Sequence, residues 1–323
     1  GTGPAIFVVS TGGLTAVNAD GSHRWTTTLP EPPLYGSGSP AIFDMDGDGT
    51  GEIVLGRTVV NHDGTIRWTG AGGSGTPRQM SFAADLDSDG LAEVVAGSTV
   101  YNHDGTIRWQ QGPDGFAAVA DIDGDSSPDI VNVVYENGVQ IIARNVTGVE
   151  LWSQVYSDTG GGPPTIADFD GDGKPEIGFA SEKYYRVVNG ADGVLLWKNS
   201  IKDASSKRTG SSVFDFEGDG AAEVVYADED NLWVFDGATG TVEMKWEGHA
   251  SGTLFEYPII VDVDADGSTE IIVASNNYTF TGSTGITVIG DATDTWAPAR
   301  PIWNQHAYSI THINDDGTVP ASP

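Results

Sequence analysis

The chain has 323 residues and a formal net charge of −31, from 46 acidic residues against 15 Lys and Arg. That balance argues against nucleic acid and anionic membrane surfaces as partners. No apolar run is long enough for a spanning helix, so no membrane insertion is expected. With no cysteine, disulfides and thiolate metal sites are excluded.

The chain opens on GTGPAIFVVS, already strand-like, with neither a leader nor an initiator methionine, and so reads as a processed form or an excised piece. Throughout, short runs rich in Val, Ile and Thr are punctuated by 44 Gly and 16 Pro, and no segment sustains a helical apolar period. This pattern predicts an all-β chain of short strands and tight turns. Residues 5–28 should hold three strands, ending in NADGSHRW at Trp25. The next unit should place strands at about 39–44, 52–56, 59–61 and 65–68, ending in NHDGTIRW at Trp68.

Between the first two of those strands lies FDMDGDGTGEIV. Asp44, Asp46 and Asp48 alternate, Gly49 permits a sharp turn, and Glu52 closes the loop. Curling such a loop converges the carboxylates, with the Thr50 carbonyl, on one point. Only oxygen donors are offered, at high charge, which suits Ca²⁺ better than Mg²⁺. An EF-hand is excluded because its twelfth position would be Leu55 and the flanks are strands, not helices.

The motif recurs downstream at intervals of 41, 36, 47, 47 and 47 residues. The second copy offers Asp85, Asp87, Asp89, Leu91 and Glu93; the third Asp121, Asp123, Asp125, Ser127 and Asp129, with Ser126 in the glycine position. The fourth offers Asp168, Asp170, Asp172, Lys174 and Glu176. The fifth has Asp215, Glu217, Asp219, Ala221 and Glu223, and the sixth Asp262, Asp264, Asp266, Ser268 and Glu270. About six Ca²⁺ are therefore expected, and twelve returned positive charges would leave −19. A second repeat, a turn followed by tryptophan, ends at Trp25, Trp68, Trp109, Trp152, Trp197, Trp246 and Trp296, and packing between neighbouring repeats is the expected role of these rings.

Periods of this size indicate a solenoid or propeller. Seven tryptophan repeats predict a seven-bladed β-propeller with four strands per blade, forming one domain over 1–323. The seventh acidic loop reads as a degraded copy, HINDDGTVP, with His312 first, Asn314 third, Asp316-Gly317 aligned on Asp266-Gly267, and Pro320 at the final acid. On that alignment, a strand at about 307–313 joins residues 5–28 in one blade and closes the ring, and 318–323 begins a linker.

D-x-D-x-D-G-x-x-[DE] between strands, repeated over about residues 5–320, resembles the FG-GAP (VCBS-type) propeller of integrin alpha subunits and many bacterial surface proteins. The resemblance implies a secreted or cell-surface location, structural Ca²⁺, and a role in adhesion or ligand binding. Integrin propellers carry fewer calcium loops and several disulfides, so a microbial relative fits better. Related calcium-loop propellers include lectins and polysaccharide lyases.

The acidic loops and the D-G turns should share one face. The opposite face should display Tyr35, Arg57, Arg78, Tyr135, Tyr156, Tyr184, Arg208, Tyr257 and Tyr278, a mixture suited to a glycan or protein ligand. An alternative is a calcium-dependent polysaccharide lyase, for which Lys183, Lys207, Arg208 and His306 are the available acid–base or charge-neutralising groups; another is a structural spacer. Asn145 and Asn277 lie in glycosylation sequons.

Overall fold

The structure, a computed structural model, describes residues 4–31, 38–73, 80–135, 138–254, 256–306, 308–311, 313–316 and 318–320. It contains strands and turns, with no helix among the described residues. The chain forms two compact units, Gly1–Ala117 with Asn304–Pro323, and Ala118–Trp303.

The first unit holds three antiparallel sheets, each in sequence order. They are Ala5–Ser10, Gly13–Asn18 and His23–Thr27; Ala41–Phe43, Glu52–Leu55, Thr58–Val60 and Ile66–Thr69; and Phe82–Ala84, Glu93–Ala96, Thr99–Tyr101 and Ile107–Gln110. The second unit holds four. Three have four strands: Phe116–Ala120, Asp129–Val134, Val139–Asn145 and Glu150–Tyr156; Thr165–Ala167, Glu176–Ala180, Tyr184–Asn189 and Leu195–Ser200; and Ser211–Phe214, Glu223–Ala227, Leu232–Phe235 and Val242–Trp246. The last has three: Ile259–Val261, Glu270–Ser275 and Gly285–Gly290.

Burial explains the sequence pattern. Second strands such as EIVL and EIGFA are buried along their whole length, because both faces are covered by neighbouring sheets, so they read as continuous apolar runs. Fourth strands such as ELWSQVY border solvent and alternate. Successive sheets share cores: Phe43, Met45 and Val54 pack with Val94, Ala96 and Tyr101, and Ile122, Val131 and Val133 with Ile177, Phe179 and Val188. Each fully buried side chain of this size contributes about 1.5–3 kcal/mol.

The tryptophans lock neighbouring sheets together, as expected, and the second repeat supplies the socket. Trp25 Nε1 donates to the His62 carbonyl at 3.0 Å, Trp68 to His103 at 2.9 Å, Trp152 to Gly190 at 2.8 Å and Trp197 to Gly237 at 2.6 Å. Each acceptor lies in the D-G turn of the next sheet. The turn glycine lies against the ring: a Cβ on Gly64, Gly105, Gly193 or Gly240 would come within 2.5–2.7 Å of the indole. Those glycines also have φ of +69° to +89°, so two constraints select glycine there.

Several expectations need correction. Four strands per sheet holds for five sheets; the first has the three expected from residues 5–28, and the last shows three, where four were expected, among the described residues. In the last sheet the chain leaves after Gly290 and packs backward: Ala297 N donates to Phe216 O at 2.7 Å, and Trp296 lies 4.6 Å from the Phe216 ring. Trp246 is not the register equivalent of the other tryptophans. The bulge in its sheet pairs Val234 with Met244 and Phe235 with Val242, so Met244 occupies that place and Trp246 comes two residues later.

The supposed seventh acidic loop is a D-G hairpin turn. Asn314 N donates to Thr318 O, and Asp316 Oδ1 accepts from both Thr318 N and Thr318 Oγ1. The same bonds form in Asn61–Thr65 and Asn102–Thr106. The segment NDDGT therefore aligns with NHDGT and not with an acidic loop; His312 lies outside the described residues. The described residues of 304–320 form no strand, so the predicted pairing of 307–313 with 5–10 is not seen among them. The segment belongs to the first unit, where the Gln305 side chain accepts from Ile42 N at 2.7 Å.

Candidate metal centres and ligand face

All six acidic loops connect the first and second strands of a sheet and share one construction. The residue after the first aspartate anchors the loop in the apolar core: Met45, Leu86, Ile122, Phe169 and Phe216 are buried, whereas Val263 is half exposed. The backbone N–H of that anchor donates to the closing acid, at 3.0 Å for Met45 to Glu52 and Leu86 to Glu93, 3.1 Å for Ile122 to Asp129, and 2.9 Å for Phe169 to Glu176, Phe216 to Glu223 and Val263 to Glu270. The first aspartate caps the sixth residue, as in Asp44 Oδ2 accepting from Gly49 N at 2.7 Å. The fifth-position aspartate accepts from the seventh residue's N–H, as in Asp48 and Thr50.

This wrapping requires left-handed backbone at positions four and six of each loop. Glycine meets it in most copies, but Ser88, Ser126 and Ala265 adopt φ of +60° to +69°. The sequence reading saw the need at position six and missed it at position four.

The loops bring carboxylate oxygens within metal-binding distance of one another. Such groups form from Asp44, Asp46 and Asp48; Asp85, Asp87 and Glu93; Asp121, Asp123 and Asp129; Asp168, Asp170 and Glu176; and Asp215, Glu217 and Glu223. The closing acids are nearly inaccessible, Asp129 and Glu176 being 1% exposed. Burial, reinforced by the neighbouring carboxylates and opposed by the anchoring N–H, pushes Asp129 up to about 6, Glu176 to about 7 and Glu223 to about 8. Asp129 Oδ1 and Asp262 Oδ1 are buried without a hydrogen-bond partner. A buried carboxylate oxygen without a donor is costly, and a bound cation would satisfy it. The donor set therefore fits a hard divalent ion.

Two arginines absent from the candidate list also face these loops. Arg67 reaches Asp46 at 2.8 Å and Glu52 at 3.8 Å; Arg108 reaches Asp87 at 2.8 Å and Glu93 at 3.3 Å. The recurring IRW tripeptide was their sequence signal.

The candidate ligand residues separate into groups. In the second unit, Tyr135, Gly138, Val155, Tyr156, Ser157 and Thr159 line an open cleft of about 490 Å³. Arg208 stacks 4.2 Å over Tyr135. Arg186, missed in the sequence, lies buried between Tyr156 and Tyr184, 4.5 and 5.0 Å from their centroids, and pairs with Asp158 at 2.6 Å. Tyr257 packs under Gly210, whereas Tyr278 is 94% exposed. In the first unit, Arg57 pairs with Glu31 and the Gly72 carbonyl. Tyr35 and Arg78 lie outside the described residues.

Of the lyase candidates, Lys207 pairs with Glu182 at 3.3 Å, beside the stacked Arg208. Their loop is held by buried Asp203, which accepts from Lys207 N at 2.9 Å, Thr209 N at 3.0 Å and Thr253 Oγ1 at 2.6 Å.

Residues 121–179 match the family model of the FG-GAP-like repeat. Among solved structures, the V. cholerae biofilm matrix protein Bap1 matches with a TM-score of 0.85 at 18% identity, covering 98% of this chain and 80% of that one. The fold is an FG-GAP-type β-propeller. The exotype rhamnogalacturonan lyase YesX matches this propeller with a TM-score of 0.54 at 18% identity, covering 92% of this chain and 61% of that one. BamB from Moraxella catarrhalis matches at 0.51 and 14% identity, over 91% and 92% of the two chains. No curated protein sequence matches the propeller significantly.

Proposed function

We propose that this propeller is a calcium-stabilised extracellular binding module that presents a glycan- or protein-recognition face opposite its acidic loops. The observation that carries the calcium reading is the buried closing acid, above all Asp129, whose Oδ1 has no partner while its other oxygen is held by Ile122 N. Each of the six loops would hold one Ca²⁺ through side chains at positions one, three, five and nine and the carbonyl at position seven. The ion offsets two of the loop's four negative charges and fixes a loop whose anchor residue belongs to the core between sheets, so metal binding stabilises the fold.

The recognition face is centred on the cleft lined by Tyr135 and Tyr156 with Arg208 at its edge. Aromatic faces stack on sugar rings, and the guanidinium supplies hydrogen-bond donors. The likeness to a biofilm matrix protein supports a location outside the cell, and the likeness to a polysaccharide lyase makes carbohydrate the first ligand class to try. The test is a glycan array probed with the calcium-loaded chain and with Tyr156→Ala. Binding that falls at least tenfold in the variant, with an unchanged melting temperature, supports the reading. Turnover of a uronate polysaccharide, abolished by Lys207→Ala, would replace it with the lyase alternative.

A further inference from the structure

Six sheets carry a β-bulge at one place, just before the tryptophan register of the last strand, where the ladder register skips one residue. These residues are Arg24, Arg67, Arg108, Leu151, Leu196 and Glu243. A bulge re-aims a side chain. In two sheets it aims the residue at the acidic loop of the same sheet: Arg67 Nη1 meets Asp46 Oδ2 and Glu52 Oε1, and Arg108 Nη1 meets Asp87 Oδ2 and Glu93 Oε1. The paired atoms are the same in both sheets. Both acceptors are oxygens from the positions that would bind metal.

We propose that the bulge residue sets the calcium affinity of the loop beside it, so that the sites fill in a graded order. This rests on the calcium reading above. Arg67 and Arg108 put a unit positive charge against oxygens that the ion needs, which weakens binding while supporting the empty loop. Leu151 and Leu196 bring no charge to the Asp121 and Asp168 loops, and in the latter the cation at hand is the exposed Lys174, 3.6 Å from Asp172 and outward of the buried closing acid. Glu243 adds a fifth acid, one whose charge is felt by Glu217, Asp219 and Glu223. The Asp121, Asp168 and Asp215 loops of the second unit should therefore load at lower calcium than the Asp44 and Asp85 loops of the first. Between those concentrations the chain is partly loaded, which gives a stepwise calcium response.

Hydrogen exchange read by mass spectrometry across a calcium chloride titration of the whole chain resolves each loop. In the wild type, protection of 44–52 and 85–93 should have calcium midpoints about tenfold above those of 121–129, 168–176 and 215–223, the order expected for a unit charge beside a divalent ion in partly solvated surroundings. Arg67→Leu should lower the 44–52 midpoint about tenfold and leave 85–93 unmoved. Glu243→Arg should raise the 215–223 midpoint by at least as much, and keeps the test open if an arginine variant fails to fold. Unmoved midpoints in folded variants that still bind about six calcium ions by elemental counting would overturn this inference alone. A wild-type chain that binds no calcium overturns it together with the calcium reading.

Discussion

Calcium removal should reverse the sign of the pH dependence of stability. In the metal-free fold, burial holds Asp129 at about 6, Glu176 at about 7 and Glu223 at about 8, against 3.8, 4.5 and 4.5 for the free side chains. The folded state then binds more protons than the unfolded chain between about pH 4.5 and 8, so its stability falls as pH rises through that window. One pKa unit is worth about 1.4 kcal/mol, so shifts of this size contribute at least about 1 kcal/mol per group. Three groups give about 3 kcal/mol, all in the Ala118–Trp303 unit. For a unit of that size this corresponds to roughly 6–12 °C in Tm. Bound calcium keeps the same carboxylates ionised, and protons compete with it, so the loaded protein should lose stability as pH falls. The assay is calorimetry at pH 5.5 and 8.0, with saturating calcium and after stripping the metal on chelating resin. The stripped protein should melt higher at pH 5.5, and the loaded protein higher at pH 8.0. Parallel pH profiles in the two states would refute the claim that these acids are calcium ligands.

Ala265→Gly and Ser126→Gly each relieve a left-handed backbone position and should stabilise the loaded protein by about 1 kcal/mol, measured by urea unfolding. Gly105→Ala combines positive φ with a Cβ 2.6 Å from the Trp68 ring, and should cost about 3 kcal/mol together with a shift in tryptophan emission. Asp316→Ala should leave the bound calcium count unchanged by mass spectrometry, because that residue closes a hairpin turn, whereas Asp46→Ala should remove one ion.

Strand content, the acidic loops and the recurrence of both repeats were legible in the residues alone. Alternating acids and D-G turns are local chemistry, written in consecutive residues, and the strands around the Asp44 loop fall within two residues of where their apolar runs placed them. Local reading failed where two patterns share letters. NDDGT contains the aspartate and glycine of an acidic loop, yet its Asn and Thr make the bonds of a hairpin turn. Trp246 was matched by residue type, while the bulge register gives its place to Met244. What each loop faces depends on the folded chain. Arg67 lies 21 residues from Asp46 and meets it because a bulge turns it toward the loop. Arg186 and Asp158 are 28 residues apart and form a buried pair beneath Tyr156. Charge compensation across a sheet depends on register and burial, and neither is recorded in the spacing of residues along one strand.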